Sequence, residues 1–281
     1  MTDPTIDAVT SALTSVPGLT ALVLGGSRAR GTAGPGSDYD LGLYYAPQAP
    51  LDVVALQAAL EPLVDIAGEA QVTRLGEWGP WINGGGWLSI GGRKVDLLYR
   101  DLGRVGDVIA DCRAGRVSMD YQPGHPHGFC SAIWMGEVAL CRPLFDRGEA
   151  VAALKQLTTP YPEALRQALI ARFRWEVRFA IEIAATAIAR GDQTHIAGSA
   201  YRALACVAQV LFAANRRYLI NEKGALAETE TLPVRIHGVV EDASAIWSAI
   251  GARDFATALD RLRTVAAALE AAVARSALQS L

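Results

Sequence analysis

The sequence predicts an α+β protein, with an N-terminal mixed sheet flanked by helices followed by an all-α helical bundle. Three observations carry this expectation. Short apolar or alternating runs separated by Gly-containing turns dominate the first part of the chain. From about residue 161 apolar residues recur at helical spacing in an Ala-rich background. A length of 281 residues, 51% hydrophobic and 20% charged, suits two folded domains with separate cores. The expected division is 1–118 for the α/β domain, 119–159 for a connecting segment containing Pro and Gly, and 160–281 for the bundle.

Residues 6–15 read as a short helix, and the apolar run 19–24 as a buried strand ending at Gly25-Gly26. Residues 38–45 alternate: Asp38, Asp40, Gly42 and Tyr44 share one face, and Tyr39, Leu41, Leu43 and Tyr45 the other, which enters a core. A helix is expected over 51–63, irregular or hairpin structure over the Gly- and Trp-rich stretch 76–92, and a strand over 93–99. In the bundle, Phe173, Val177, Ile181, Ala184 and Ile188 mark one helix face, and Phe255, Leu259, Leu262, Ala266, Leu269 and Val273 another. Ala200, Leu204, Val207, Leu211 and Tyr218 mark a third helix, with Asn221-Glu222-Lys223-Gly224 as its stop. The arginines at 166, 172, 174 and 178, interleaved with Glu163, Glu176 and Glu182, read as a solvated face.

The net charge of −3 and pI near 5.8 lack the basic excess that binding a nucleic-acid backbone requires. The first ten residues carry acids and no basic cluster before an apolar run, unlike a secretory signal. No stretch of about 18 uninterrupted apolar residues suggests a membrane span. A cytoplasmic protein without nucleic-acid or membrane partners is therefore expected. Cys112, Cys130, Cys141 and Cys206 are widely spaced with no CxxC pair and read as reduced thiols.

The chemistry concentrates in Leu24-Gly25-Gly26-Ser27-Arg28-Ala29-Arg30-Gly31 and Ser37-Asp38-Tyr39-Asp40-Leu41. A strand ending in Gly-Gly-Ser lets backbone approach a phosphate closely, and the helix that follows offers unpaired N–H groups to the anion. Arg28 or Arg30 can add charge-assisted hydrogen bonds to phosphate oxygens, with Arg30 preferred because Arg28 could face solvent. Asp38 and Asp40, two apart on a strand, can jointly bind hard cations, which gives two neighbouring carboxylates a purpose.

These residues resemble the nucleotidyltransferase superfamily that includes DNA polymerase β and the kanamycin and lincosamide nucleotidyltransferases. The family motif is a strand-ending Gly-Ser, a turn and helix, then Asp-x-Asp on the next strand. Gly26-Ser27 and Asp38-x-Asp40 match it. The resemblance implies a third carboxylate on a later strand, the position of Asp96, and an appended helical bundle with a small-molecule acceptor in the cleft. It further implies two magnesium ions held by Asp38, Asp40 and Asp96, with ATP or another nucleoside triphosphate as donor. A hydroxyl would attack the α-phosphorus and pyrophosphate would leave, with Asp96 able to accept the hydroxyl proton. Gly26, Ser27, Arg30 and Ser37 would bind the nucleotide. Antibiotic-like acceptors follow from the resemblance alone.

Other readings compete. Lys223 could contact the triphosphate or complement a helix end. Trp78, Trp81 and Trp87 could wall a base or acceptor site or cap a small core, and residues 121–129 could line an acceptor pocket. His125-Pro126-His127 with Cys130 and Cys141 fits no standard zinc spacing. Gly25-x-Ser27-x-Ala29 lacks the final Gly of a nucleophile elbow. The competing functions are a nucleotide-binding or regulatory relative without turnover, and transfer onto a protein. The sequence identifies neither the acceptor nor the oligomeric state.

Overall fold

A computed structural model describes residues 3–278. In chain order the elements begin with α1 (Pro4–Leu13), β1 (Leu19–Leu24), α2 (Gly26–Arg30), β2 (Tyr39–Tyr45), α3 (Val53–Leu60), β3 (Gly85–Ile90), β4 (Arg93–Asp101) and α4 (Leu102–Arg113). There follow β5 (Met119–Asp120), β6 (Phe129–Cys130), α5 (Ala132–Leu140), β7 (Arg142–Asp146) and α6 (Ala150–Gln156). The helices α7 (Glu163–Ala187), α8 (Gln193–Ala214), α9 (Ala225–Thr229), α10 (Val239–Gly251) and α11 (Phe255–Leu278) complete the chain. The protein is α+β, with a mixed sheet in the N-terminal part and a helical C-terminal part.

The chain divides into two compact units, Met1–Ala110 with Trp134–Pro160, and Asp111–Ile133 with Tyr161–Leu281. Residues 119–159, read from the sequence as a connector, are thus shared between them.

The first unit is built on a five-stranded sheet in the order β3-β4-β2-β1-β7. Neighbours are antiparallel except β2 and β4, which run parallel. Tyr39, Leu41, Leu43 and Tyr45 enter a core with Leu22, Leu24, Val95, Leu97 and Tyr99, covered by α1 and α3 through Val9, Leu13, Leu56 and Leu60. Caps place the covering helices: Asp3 accepts from Thr5 and Ile6 N–H, and Asp52 from Val54 and Ala55 N–H. Asp3 also accepts from the Tyr39 hydroxyl at 2.7 Å, tying α1 to β2.

The opposite face of β2 was expected to be acidic, and only its entry is. Farther along, Tyr44 is fully buried, and Arg100 of β4 forms a two-pronged pair with Glu137 of α5, each N···O distance 2.9 Å. Its third donor bonds the Tyr99 carbonyl, and Trp134 lies beside the guanidinium. A charge so deep in an apolar layer needs such a partner. Lys155 of α6 donates to the Ala139 and Cys141 carbonyls, capping the end of α5.

In the second unit α7 packs chiefly on α8 and α10 on α11. Phe173, Val177, Ile181, Ala184, Leu259, Leu262 and Leu269 are buried as their spacing predicts. The solvated-face reading of α7 holds for Glu163, Arg178 and Glu182, which are exposed, and fails for the others. Glu176 is buried and bridges Arg172 of its own helix and Arg202 of α8, Arg166 is buried on Glu163, and Arg174 and Arg178 both pair with Glu270 of α11. Glu176, Arg174 and Arg178 thus act where helices meet.

Helix α8 also ends earlier than expected. Asn215 bonds the Leu211 and Val234 carbonyls and accepts from Val234 N–H, and Arg216 turns to a positive φ of 53°. A side-chain amide thus supplies the stop, and residues 221–224 lie in the following turn. Among the described residues α8 is the one helix long and apolar enough to cross a membrane, yet 67% of its apolar window is buried inside the protein. Its hydrophobicity is spent on bundle contacts. All four cysteines are free and buried, and burial pushes the thiols of Cys112 and Cys130 up to about 12 and about 11.

Removing Glu137 as Glu137→Ala should strand the Arg100 charge and cost about 3 kcal/mol or more, read from urea unfolding against the wild type. His127 supplies a second expectation. Burial first, and Arg202 second, lower its pKa from the usual 6.5. The unfolded imidazole takes up its proton near pH 6.5; the folded one does so only at lower pH. This contribution is complete above that pH and is lost as pH falls through the folded value. The urea midpoint should therefore drop between about pH 7.5 and about pH 5.5, and drop less in His127→Asn.

Candidate active site

Four sequence segments meet at the carboxyl end of β1, where the chain turns through Gly25 into α2. The Gly25 N–H donates to the Asp40 carbonyl at 2.7 Å, which fixes this turn against β2. Gly26 has φ +57°, and a Cβ there would overlap Asp40 Oδ2. Only glycine gives both the conformation and the clearance, so the Asp40 carboxylate lies directly on the turn.

The parallel register of β2 and β4 sets Asp40 opposite Asp96, and the antiparallel register of β4 and β3 sets Asp96 opposite Trp87. Directly paired residues share a face, so these three form one row across the sheet. Trp87 is 71% exposed and stacks on Trp78, ring centroids 4.5 Å apart. Trp81 instead is buried edge-on to Trp134. The Gly91-Gly92 turn, with φ 58° and 69°, closes the hairpin between β3 and β4. Counting outward from that turn pairs 87 with 96, so the Trp87–Asp96 part of the row follows from the sequence, while Asp40 joins it through the parallel register of β2 and β4.

Asp38 stands apart from this row. The strand begins at Tyr39, one residue later than expected, and Asp38 lies just outside it. Its carbonyl accepts from Arg28 Nε at 3.1 Å, and the Ser37 carbonyl accepts from Arg28 Nη2 at 2.7 Å. The Arg28 guanidinium also lies 3.8 Å from the Tyr39 ring centre. Arg28 is thus turned neither to solvent nor to a phosphate site; it fastens the segment before β2 onto α2. Arg93 does the same from β4, donating to the Pro35 carbonyl. Ser37 Oγ accepts from Gly34 N–H at 3.0 Å and closes the tight turn, while the Ser27 carbonyl accepts from Thr32 N–H at 3.0 Å. Ser27 is half-buried and Arg30 exposed on the last turn of α2.

The geometry thus brings Gly26, Ser27, Asp40 and Asp96 together, with Ser37 and Asp38 on the fastened segment and Arg30 at the end of α2. Lys223 belongs to the second unit, in an exposed turn between α8 and α9, where its N–H donates to Asn221 Oδ1. The early end of α8 removes its helix-end role. Among the described residues no group of three or more His, Cys, Asp or Glu side chains is placed to hold a metal ion. That covers Asp38, Asp40 and Asp96 as a set, and equally His125, His127 and the cysteines.

Residues 9–103 match the family model of the nucleotidyltransferase domain, which spans α1 through β4. Residues 136–223 match the model of a domain of unknown function, DUF4037. A nucleotidyltransferase-like protein from Exiguobacterium sibiricum 255-15, known from a crystal structure at 1.90 Å resolution, is similar over 96% of this chain and 75% of its own, with 11% identity and a TM-score of 0.40. No curated protein matches the chain. The first unit therefore carries the sequence pattern of a nucleotidyltransferase domain, and its Gly-Gly-Ser turn and Asp-x-Asp segment fall inside the matched residues.

Gly26→Ala should destabilise the protein by about 1–3 kcal/mol through backbone strain, with displacement of Asp40 adding to the loss. Gly34→Ala, whose Cβ would meet open space, should leave the melting temperature nearly unchanged. Equal melting temperatures for the two variants would refute the close approach at Gly26.

Proposed function

We propose that the first unit binds a nucleoside triphosphate with magnesium and transfers its nucleoside monophosphate, AMP from ATP, to a hydroxyl of a small-molecule acceptor. The observation that carries this reading is the pairing of Asp40 with Asp96 beside a Gly-Gly-Ser turn that the Asp40 carboxylate touches. An anion-accepting backbone and two carboxylates at one strand end have little use together unless a cation mediates between them. Carboxylate oxygens are hard donors of the kind magnesium prefers. Asp40 and Asp96 would hold the ion, and Asp38, on the segment that Arg28 fastens just before β2, would supply a third carboxylate. Bound magnesium would neutralise the triphosphate and stabilise the departing pyrophosphate.

The chain's own groups supply the rest. Gly26 and Ser27 let the backbone approach phosphate oxygens, and Arg30 brings a charge to the same end of α2. Ser37 keeps the fastened segment in its tight turn. Asp96 is the group to accept the proton of the attacking hydroxyl. Trp87, stacked on Trp78 in the same row, offers a flat apolar surface to a base or an acceptor ring.

A second reading draws on the lack, among the described residues, of three carboxylates placed together to hold a metal ion: a unit that binds nucleotide without turning it over. Titration calorimetry of the wild type and of Asp38→Ala/Asp40→Ala with each of the four ribonucleoside triphosphates, with and without magnesium, tests both. Magnesium-dependent binding that the double variant loses, with pyrophosphate release on adding hydroxyl compounds, is the expected result. Binding without pyrophosphate release would favour the second reading. Binding of no triphosphate would end both.

A further inference from the structure

The second unit contains a cavity of about 180 Å³ that neither the sheet nor its carboxylates touch. Its walls come from α8, α9, α10 and the segments around His127 and Leu219. Leu204, Ala205, Ala208, Leu226 and Trp247 make it apolar on most sides, and Glu222, His127 and Gln209 interrupt that lining. A cavity of about 150 Å³ walled by aliphatic side chains accommodates a benzene-sized molecule, so this one has room for a six-membered ring with a short substituent.

The polar groups say what that substituent is. Glu222 has a side chain only 14% exposed; one oxygen meets His125 Nδ1 at 3.2 Å, and Oε1 is buried without a hydrogen-bond partner among the described residues. Burial, the largest single influence, pushes the Glu222 carboxyl up, but the His125 contact, a backbone hydrogen bond and the charges of His125 and His127 together hold it below the usual carboxylate range. His127 is 3% exposed, and neither ring nitrogen has a hydrogen-bond partner among the described residues. Tyr201, also on the wall, has its phenol pKa raised by burial and by the Glu222 charge, so it stays neutral. A carboxylate in an otherwise apolar wall selects against an anionic guest and favours a cation bearing several N–H donors.

We propose that this cavity is a binding site for a compact apolar primary amine, its ammonium group on Glu222 and its hydrocarbon body against Leu204, Leu226 and Trp247. The site lies wholly within the helical unit and does not rest on the nucleotidyl-transfer reading.

The test uses the full chain and two probes of one shape, benzylamine and benzyl alcohol, in titration calorimetry. Benzylamine should bind the wild type at least about tenfold tighter than the alcohol, as a charge-assisted contact requires. Glu222→Gln should erase that preference, and Ala205→Phe, which fills the cavity, should abolish binding of both. The comparison of the two probes on the wild type needs no variant. Benzyl alcohol binding as tightly as benzylamine, or neither probe binding, overturns the proposal. So does a preference for the amine that survives in a folded Glu222→Gln protein.

Discussion

The candidate site depends on one close approach, the passage of the Gly25-Gly26 turn beneath the Asp40 side chain. The Gly25 N–H holds the Asp40 carbonyl, and the missing Cβ of Gly26 leaves room for the Asp40 carboxylate. Register then does the remainder. Since β2 and β4 are parallel and paired residue for residue, fixing Asp40 fixes Asp96, and the hairpin carries the row on to Trp87. The Arg100–Glu137 pair and the Tyr44 ring fill the same sheet face farther from this turn, so the row of carboxylates opens from one end of a face that is otherwise packed.

How much of this the sequence disclosed follows from the distance over which each interaction acts. The strand Leu19–Leu24, the alternation of residues 39–45 and the Gly-Gly-Ser and Asp-x-Asp segments are local patterns, and each was readable where it stands. The end of α8 was misplaced because Asn215 works by bonding Val234, which no pattern around residue 215 announces. The charges of α7 were assigned to solvent because spacing along one helix does not reveal that Arg202 and Glu270 wait on others. The role of Arg28 is hidden for the same reason: its acceptors are carbonyls nine and ten residues onward, placed by a turn with no regular pattern.

The helical cavity was the least legible feature. His125, His127 and Glu222 approach each other across almost a hundred residues, and their types are unremarkable when read singly. Only the failure of Glu222 Oε1 and the His127 nitrogens to find partners among the described residues distinguishes the group from an ordinary buried pair. Residues 121–129, read as a possible acceptor lining, contribute His127 to this cavity.

The segment between α2 and β2 is fastened by two guanidinium groups, and each grips main-chain carbonyls: Arg28 those of Ser37 and Asp38, Arg93 that of Pro35. Such a clasp is blind to the identity of the residues it holds. The exposed positions between Thr32 and Gly36 can thereby change their side chains while the path into β2 stays the same and the carboxylates behind it are left undisturbed.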